Sequence, residues 1–120
     1  MSYDVYLLDP VTRKCIEFKE RHYMTGGTYQ VDGTFDAWLN ITYNYGQFYR
    51  REDTFGEEGI RAIYGKSGAE SIPMIEKAIA ALGNDVDPDY WVPTEGNAKQ
   101  ALYKLLALAK MRPDGIWDGD

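Results

Sequence analysis

Four groups of residues have the types that chemistry uses, and their spacing separates them. Gly65, Lys66 and Ser67 match the end of a phosphate-binding loop, but Ile60 stands where that loop needs its first glycine, and Gly59 is one residue out of register. Such a loop cradles phosphates with backbone N–H groups in a fixed geometry, so the slipped register favours an ordinary turn before a helix. Asp85, Asp87 and Asp89 have the spacing of the first ligands of a calcium loop, but Tyr90 and Gly96 occupy the places of its glycine and its terminal acid, and Pro88 interrupts it. The simpler reading is a loop that uses aspartate as a turn former. Cys15 and His22 are the sole cysteine and histidine. A nucleophile, a base and an orienting group are not supplied by this pair, and a zinc site of such ligands needs more of them. The reading expects no catalytic residue, no metal and no cofactor.

The fourth group suits recognition rather than reaction. Thr28 and Tyr29 follow two glycines, and Trp38, Asn40, Thr42 and Asn44 alternate along one face of the segment 37–45. Asparagine offers a donor and an acceptor together, and tryptophan offers a stacking face. Arg50 and Arg51 follow, with forks that fit a phosphate or a carboxylate. These eight residues are the candidate ligand- or partner-binding set. The opposing reading is that helices cover them and that they only order loops.

The elements that must position these residues can be read from periodicity. Residues 3–8 alternate and predict a strand, Asp9-Pro10 breaks it, and residues 15–18 resume as a second strand, so 3–18 reads as a hairpin with a loop near Asp9–Arg13. Residues 28–31 read as a brief strand before the turn at Asp32-Gly33. Over 37–45 the apolar set Ala37, Leu39, Ile41, Tyr43 and Tyr45 takes the core face of a strand, which leaves the polar set on an exposed or semi-exposed face. Beyond Gly56 the period turns helical: a short piece at 59–64, a helix capped by Ser71 with Pro73 in its first turn, and a longer helix capped by Thr94 and stopped by Pro113. Ala98, Ala101, Leu102, Leu105, Leu106 and Ala109 form the apolar stripe of the last helix. Ile116 and Trp117, in the acidic tail, are expected to dock on the body. Strands first and helices second predict an α+β fold, a small antiparallel sheet from the N-terminal half with C-terminal helices on one face.

Composition bounds the function. The 120 residues suit a single domain over 1–120, with 44% hydrophobic and 27% charged residues. With 19 acidic against 13 basic residues the net charge is −6, and no third of the chain is strongly basic, which argues against binding to a nucleic-acid backbone. One cysteine gives no intrachain disulfide, and no apolar run approaches the roughly 20 residues of a membrane span, so the expected location is the cytoplasm.

The stretches Gly26-Gly27-Thr28-Tyr29, 38–45, 94–99 and 112–117 together resemble small uncharacterised accessory proteins of bacterial phages and mobile elements, over nearly the whole chain. The resemblance brings a context, the cytoplasm of a bacterial host, and no activity. It implies a non-enzymatic binding protein that antagonises host defence, by binding a defence protein or by sequestering a nucleotide signal. A small enzyme acting on a nucleotide and a structural accessory protein are the alternatives, and self-association is left open.

Overall fold

A computed structural model describes residues 1–23 and 33–120. The expected strand at 28–31, with the candidates Thr28 and Tyr29, lies outside the described residues. The alternation at the N-terminus gives β1 (Ser2–Leu8), whose Tyr3, Val5 and Leu7 are buried while the residues between them stay partly exposed. Asp9 then turns the chain, its carboxylate accepting from the N–H groups of Val11 and Thr12. The chain comes back beside β1 at the isolated Leu8–Cys15 bridge and continues as β2 (Glu17–His22). β2 pairs with β3 (Thr34–Asp36) in a two-stranded ribbon rather than extending a hairpin with β1.

β4 (Trp38–Thr42) pairs antiparallel with β1, with Tyr3 opposite Ile41 and Tyr6 opposite Trp38. The predicted strand was longer, and the difference has a local cause. Thr42 caps a 3-10 turn over Tyr43–Tyr45, its Oγ1 accepting from Asn44 N–H at 3.2 Å, and the turn runs on into α1 (Gly46–Tyr49). A second 3-10 helix spans Gly59–Ile63.

α2 (Gly68–Ala81) begins three residues before the predicted cap, Ser71. Ser67 is the cap, in a reciprocal capping box with Glu70, so Pro73 falls inside the helix rather than in its first turn. Ser71 instead does buried work: its hydroxyl donates to Gly68 O and accepts from Trp117 Nε1 at 2.7 Å. α3 (Glu95–Met111) follows the reading, with Thr94 as cap and all six residues of the predicted stripe buried.

The C-terminal tail corrects the order of strands first and helices second. β5 (Ile116–Gly119) pairs with β1 on the side away from β4, which makes β1 the central strand of the order β4-β1-β5. The fold is α+β: α2 and α3 pack together and cover the sheet face that carries Val5, Leu7, Leu39, Ile41 and Trp117. Among the described residues no helix is long and apolar enough to cross a membrane.

Candidate anion-binding site

The predicted recognition face is internally occupied along most of its length. Trp38 Nε1 donates to Asp4 Oδ1 at 3.2 Å, and Asn40 Nδ2 donates to the same oxygen at 2.9 Å and to Ser2 Oγ at 2.7 Å. Asn40 is 7% exposed and Thr42 1%, which corrects the expected exposure of this face. Asn40 Oδ1 is buried with no hydrogen-bond partner among the described residues. Asn44 is exposed, but its Nδ2 donates to Trp91 O and so ties the turn after β4 to the loop before α3.

That loop holds the turn from several sides. Thr42 N–H donates to Tyr90 Oη at 3.0 Å, and the Tyr45 hydroxyl donates to Tyr90 O. The aspartates whose spacing hinted at calcium serve its backbone: Asp87 accepts from Asp89 N–H, Asp89 from Trp91 N–H, and Asp85 from Gly96 N–H. Burial pushes the Tyr45 and Tyr49 phenols well above their usual range and Tyr90 up to about 12, so all three stay neutral donors or acceptors at ordinary pH.

The two predicted arginines part company. Arg51 is spent inside the chain, bonded at 2.5 Å to Asp53 and at 3.0 Å to Glu95, whose carboxylate also accepts from Gly83 N–H. The Asp53 and Glu95 carboxylates hold the guanidinium firmly charged, and Asp53 in turn is lowered below the usual carboxylate range by Arg51. It fastens the segment after α1 to the junction of α2 and α3. Arg50, next to it, is exposed and makes no ion pair and no side-chain hydrogen bond among the described residues.

Arg50 lines a pocket of about 340 Å³ with Tyr3, Tyr43 and Arg61. The pocket lies at the end of the sheet, where β1 begins and β4 has just turned into α1. The loop after α1 returns the chain there: Thr54 Oγ1 donates to Phe48 O, Gly56 N–H donates to Arg51 O, and the following 3-10 helix carries Arg61. Tyr3 and Tyr43 meet edge to face at 4.6 Å. The Arg61 guanidinium carbon lies 5.0 Å from the centre of the Tyr3 ring and 5.7 Å from that of Tyr43. Its Nη2 donates to the Tyr43 hydroxyl and its Nε to the main-chain oxygen of Asp120. Cation–π contact and two hydrogen bonds fix Arg61 without a carboxylate side chain, and its remaining N–H groups are left for a ligand.

Two guanidiniums and two phenols around one concavity can hold an anion, because every group there can donate and the two cations repel each other until an anion comes between them. In a chain of net charge −6 such a spot differs from its surroundings. A larger depression of about 460 Å³ runs along β2 and β3, but Glu17 and Asp36 there oppose Lys19 and Arg21. Of the six described residues of the predicted set, the structure therefore brings Arg50 alone into the pocket, and sequence reasoning missed Tyr3, Tyr43 and Arg61. The alternation over 37–45 assigns Tyr43 to the core face; in the structure Tyr3 is buried, while Tyr43, in the turn after β4, is only partly covered. Arg61 carried no local signal, since its neighbours are brought to it by the fold. No family model, curated protein or solved structure matches the chain.

Proposed function

We propose that this protein is a non-enzymatic binding protein that sequesters a small anionic, nucleotide-like ligand at the Arg50–Arg61 pocket. The observation that carries the reading is Arg50, a guanidinium without an acidic partner, facing the same pocket as a second arginine fixed by tyrosines. Buried or ordered arginines in an acidic protein ordinarily end on carboxylates, as Arg51 and Arg112 do here. Taken with the resemblance to accessory proteins of bacterial phages and mobile elements, sequestration of a nucleotide signal in the bacterial cytoplasm, and with it antagonism of host defence, is the role proposed.

A second reading has its own observation. The sheet face opposite the helices keeps Tyr6, Leu8, Trp38 and Ile116 partly exposed, and such a face fits a protein partner, for which a defence protein is the candidate. The two readings separate in one experiment. The protein is purified from bacterial cells, denatured, and its released small molecules are identified by mass spectrometry beside those of Arg50→Gln/Arg61→Gln. Sequestration predicts a phosphate-bearing compound that the wild-type chain releases and the double variant does not. Identical releases from both proteins would contradict it and leave the protein-partner reading.

A further inference from the structure

We infer that the group taken by this pocket is a phosphoryl group engaged by the fork of Arg50, and that Gly46 is the positioning residue that seats the fork. The inference rests on the ligand-binding reading above and adds the ligand's chemistry and the device that presents it.

The device is visible in two glycines. A Cβ placed on Gly46 would lie 2.8 Å from Arg50 Nη1 and 2.8 Å from the Tyr3 hydroxyl oxygen. Gly46 has φ −55 and ψ −37, an ordinary helical conformation that any residue adopts and in which alanine has the higher propensity. Its backbone does not ask for glycine. The space above it does, because that space holds the head of Arg50 against the rim of Tyr3. On the other side, a Cβ on Gly59 would lie 3.1 Å from Arg50 Cγ, and Gly59 has φ +65, where glycine is also the residue the backbone favours. The stem of Arg50 thus runs past one bare backbone position and its guanidinium rests on another. An exposed arginine with no acidic partner would otherwise move freely.

The donor inventory selects the ligand. Arg61 has committed its Nε and one Nη2 hydrogen, while none of the five Arg50 donors is committed to a side chain or backbone acceptor among the described residues. A carboxylate has two oxygens in one plane and satisfies one fork. A phosphoryl group has three terminal oxygens around a tetrahedral centre, so one pair can meet the Arg50 fork while the third reaches the free hydrogens of Arg61. Two cations with no neutralising side chain also fit the double charge of a terminal phosphate better than the single charge of a carboxylate.

Calorimetric titration of the full chain with sodium pyrophosphate, and with sodium acetate at matched ionic strength, tests this on the wild type, Gly46→Ala, Arg50→Lys and Arg50→Gln. The wild type is expected to bind pyrophosphate saturably and acetate at least tenfold more weakly. Gly46→Ala and Arg50→Lys, the second keeping the charge without the fork, are each expected to lose tenfold or more for pyrophosphate at an unchanged far-ultraviolet spectrum. Wild-type affinity in Gly46→Ala together with loss in Arg50→Gln overturns the seat and leaves the ligand-binding reading standing. Wild-type affinity in Arg50→Lys overturns the fork. If Gly46→Ala melts early, its titration is run below its melting temperature to decide the seat, and Arg50→Lys, which leaves Gly46 in place, decides the fork independently. Equal binding of acetate and pyrophosphate overturns the phosphoryl assignment, and a wild-type chain that binds neither removes the reading beneath it.

Discussion

Asn40 shows how a single polar side chain changes meaning once its neighbours are known. Period-2 alternation places it correctly on the face away from the helices, opposite Asp4 in the register. What alternation cannot supply is that Ser2 and Asp4 stand ready to accept both of its amide hydrogens, at 2.7 and 2.9 Å. Losing those bonds strands the Asp4 carboxylate against Trp38 alone. Asn40→Ala is therefore expected to cost about 1–3 kcal/mol, more than a surface change, as read from urea denaturation curves. A cost of a few tenths would show that the network is not holding the strand. Arg50 and Arg51 give the complementary lesson. Adjacent residues of one type face opposite fates, because a residue at the end of a short helix points away from its neighbour. The sequence marks both as candidates, and only the positions of Asp53, Glu95 and Gly46 tell the ion pair from the ligand group.

The elements with long, regular patterns were legible. β1, α3 and its buried stripe follow from spacing alone, since a clean alternation or an apolar stripe between a threonine cap and a proline leaves few alternatives. Shorter elements were harder for physical reasons. Two cap-forming serines compete at the start of α2, and Ser67 wins because Glu70 can complete its capping box while Ser71 is claimed by Trp117. The segment 37–45 keeps strand-like alternation past Thr42, but the Thr42 hydroxyl and the Tyr90 contact end it sooner. β5 has four residues and an acidic surround, too little for periodicity to detect, and it forms because β1 has an open edge to fill. Its position beside the central strand gives an expectation. Trp117 is 1% exposed, anchored to Ser71, and Trp117→Ala should cost about 3–5 kcal/mol in thermal or urea unfolding. A cost below 1 kcal/mol would mean that β5 is an appendage rather than part of the sheet.

At the scale of the whole molecule, the α+β class was legible and the site was not. The pocket draws Tyr3 from the first strand, Tyr43 from the turn after β4, Arg50 from the end of α1 and Arg61 from a 3-10 helix. No window of sequence holds these four residues together, and nothing in their spacing announces that they converge. What the molecule does with its charge is clearer in three dimensions than in composition. Arg51 and Arg112 are consumed by side-chain carboxylates that hold the structure, with Asp114 lowered below its usual range by Arg112, whereas Arg50 and Arg61 bond to no carboxylate side chain among the described residues. The most direct test follows these four side chains at once. In heteronuclear NMR of the full chain, the arginine Nε–Hε resonances are assigned and followed as sodium pyrophosphate is added at constant ionic strength. The account predicts that Arg50 and Arg61 shift along one saturating curve while Arg51 and Arg112 stay in place. Equal, non-saturating drift of all four would show a diffuse response to an anion and would contradict the pocket as a binding site.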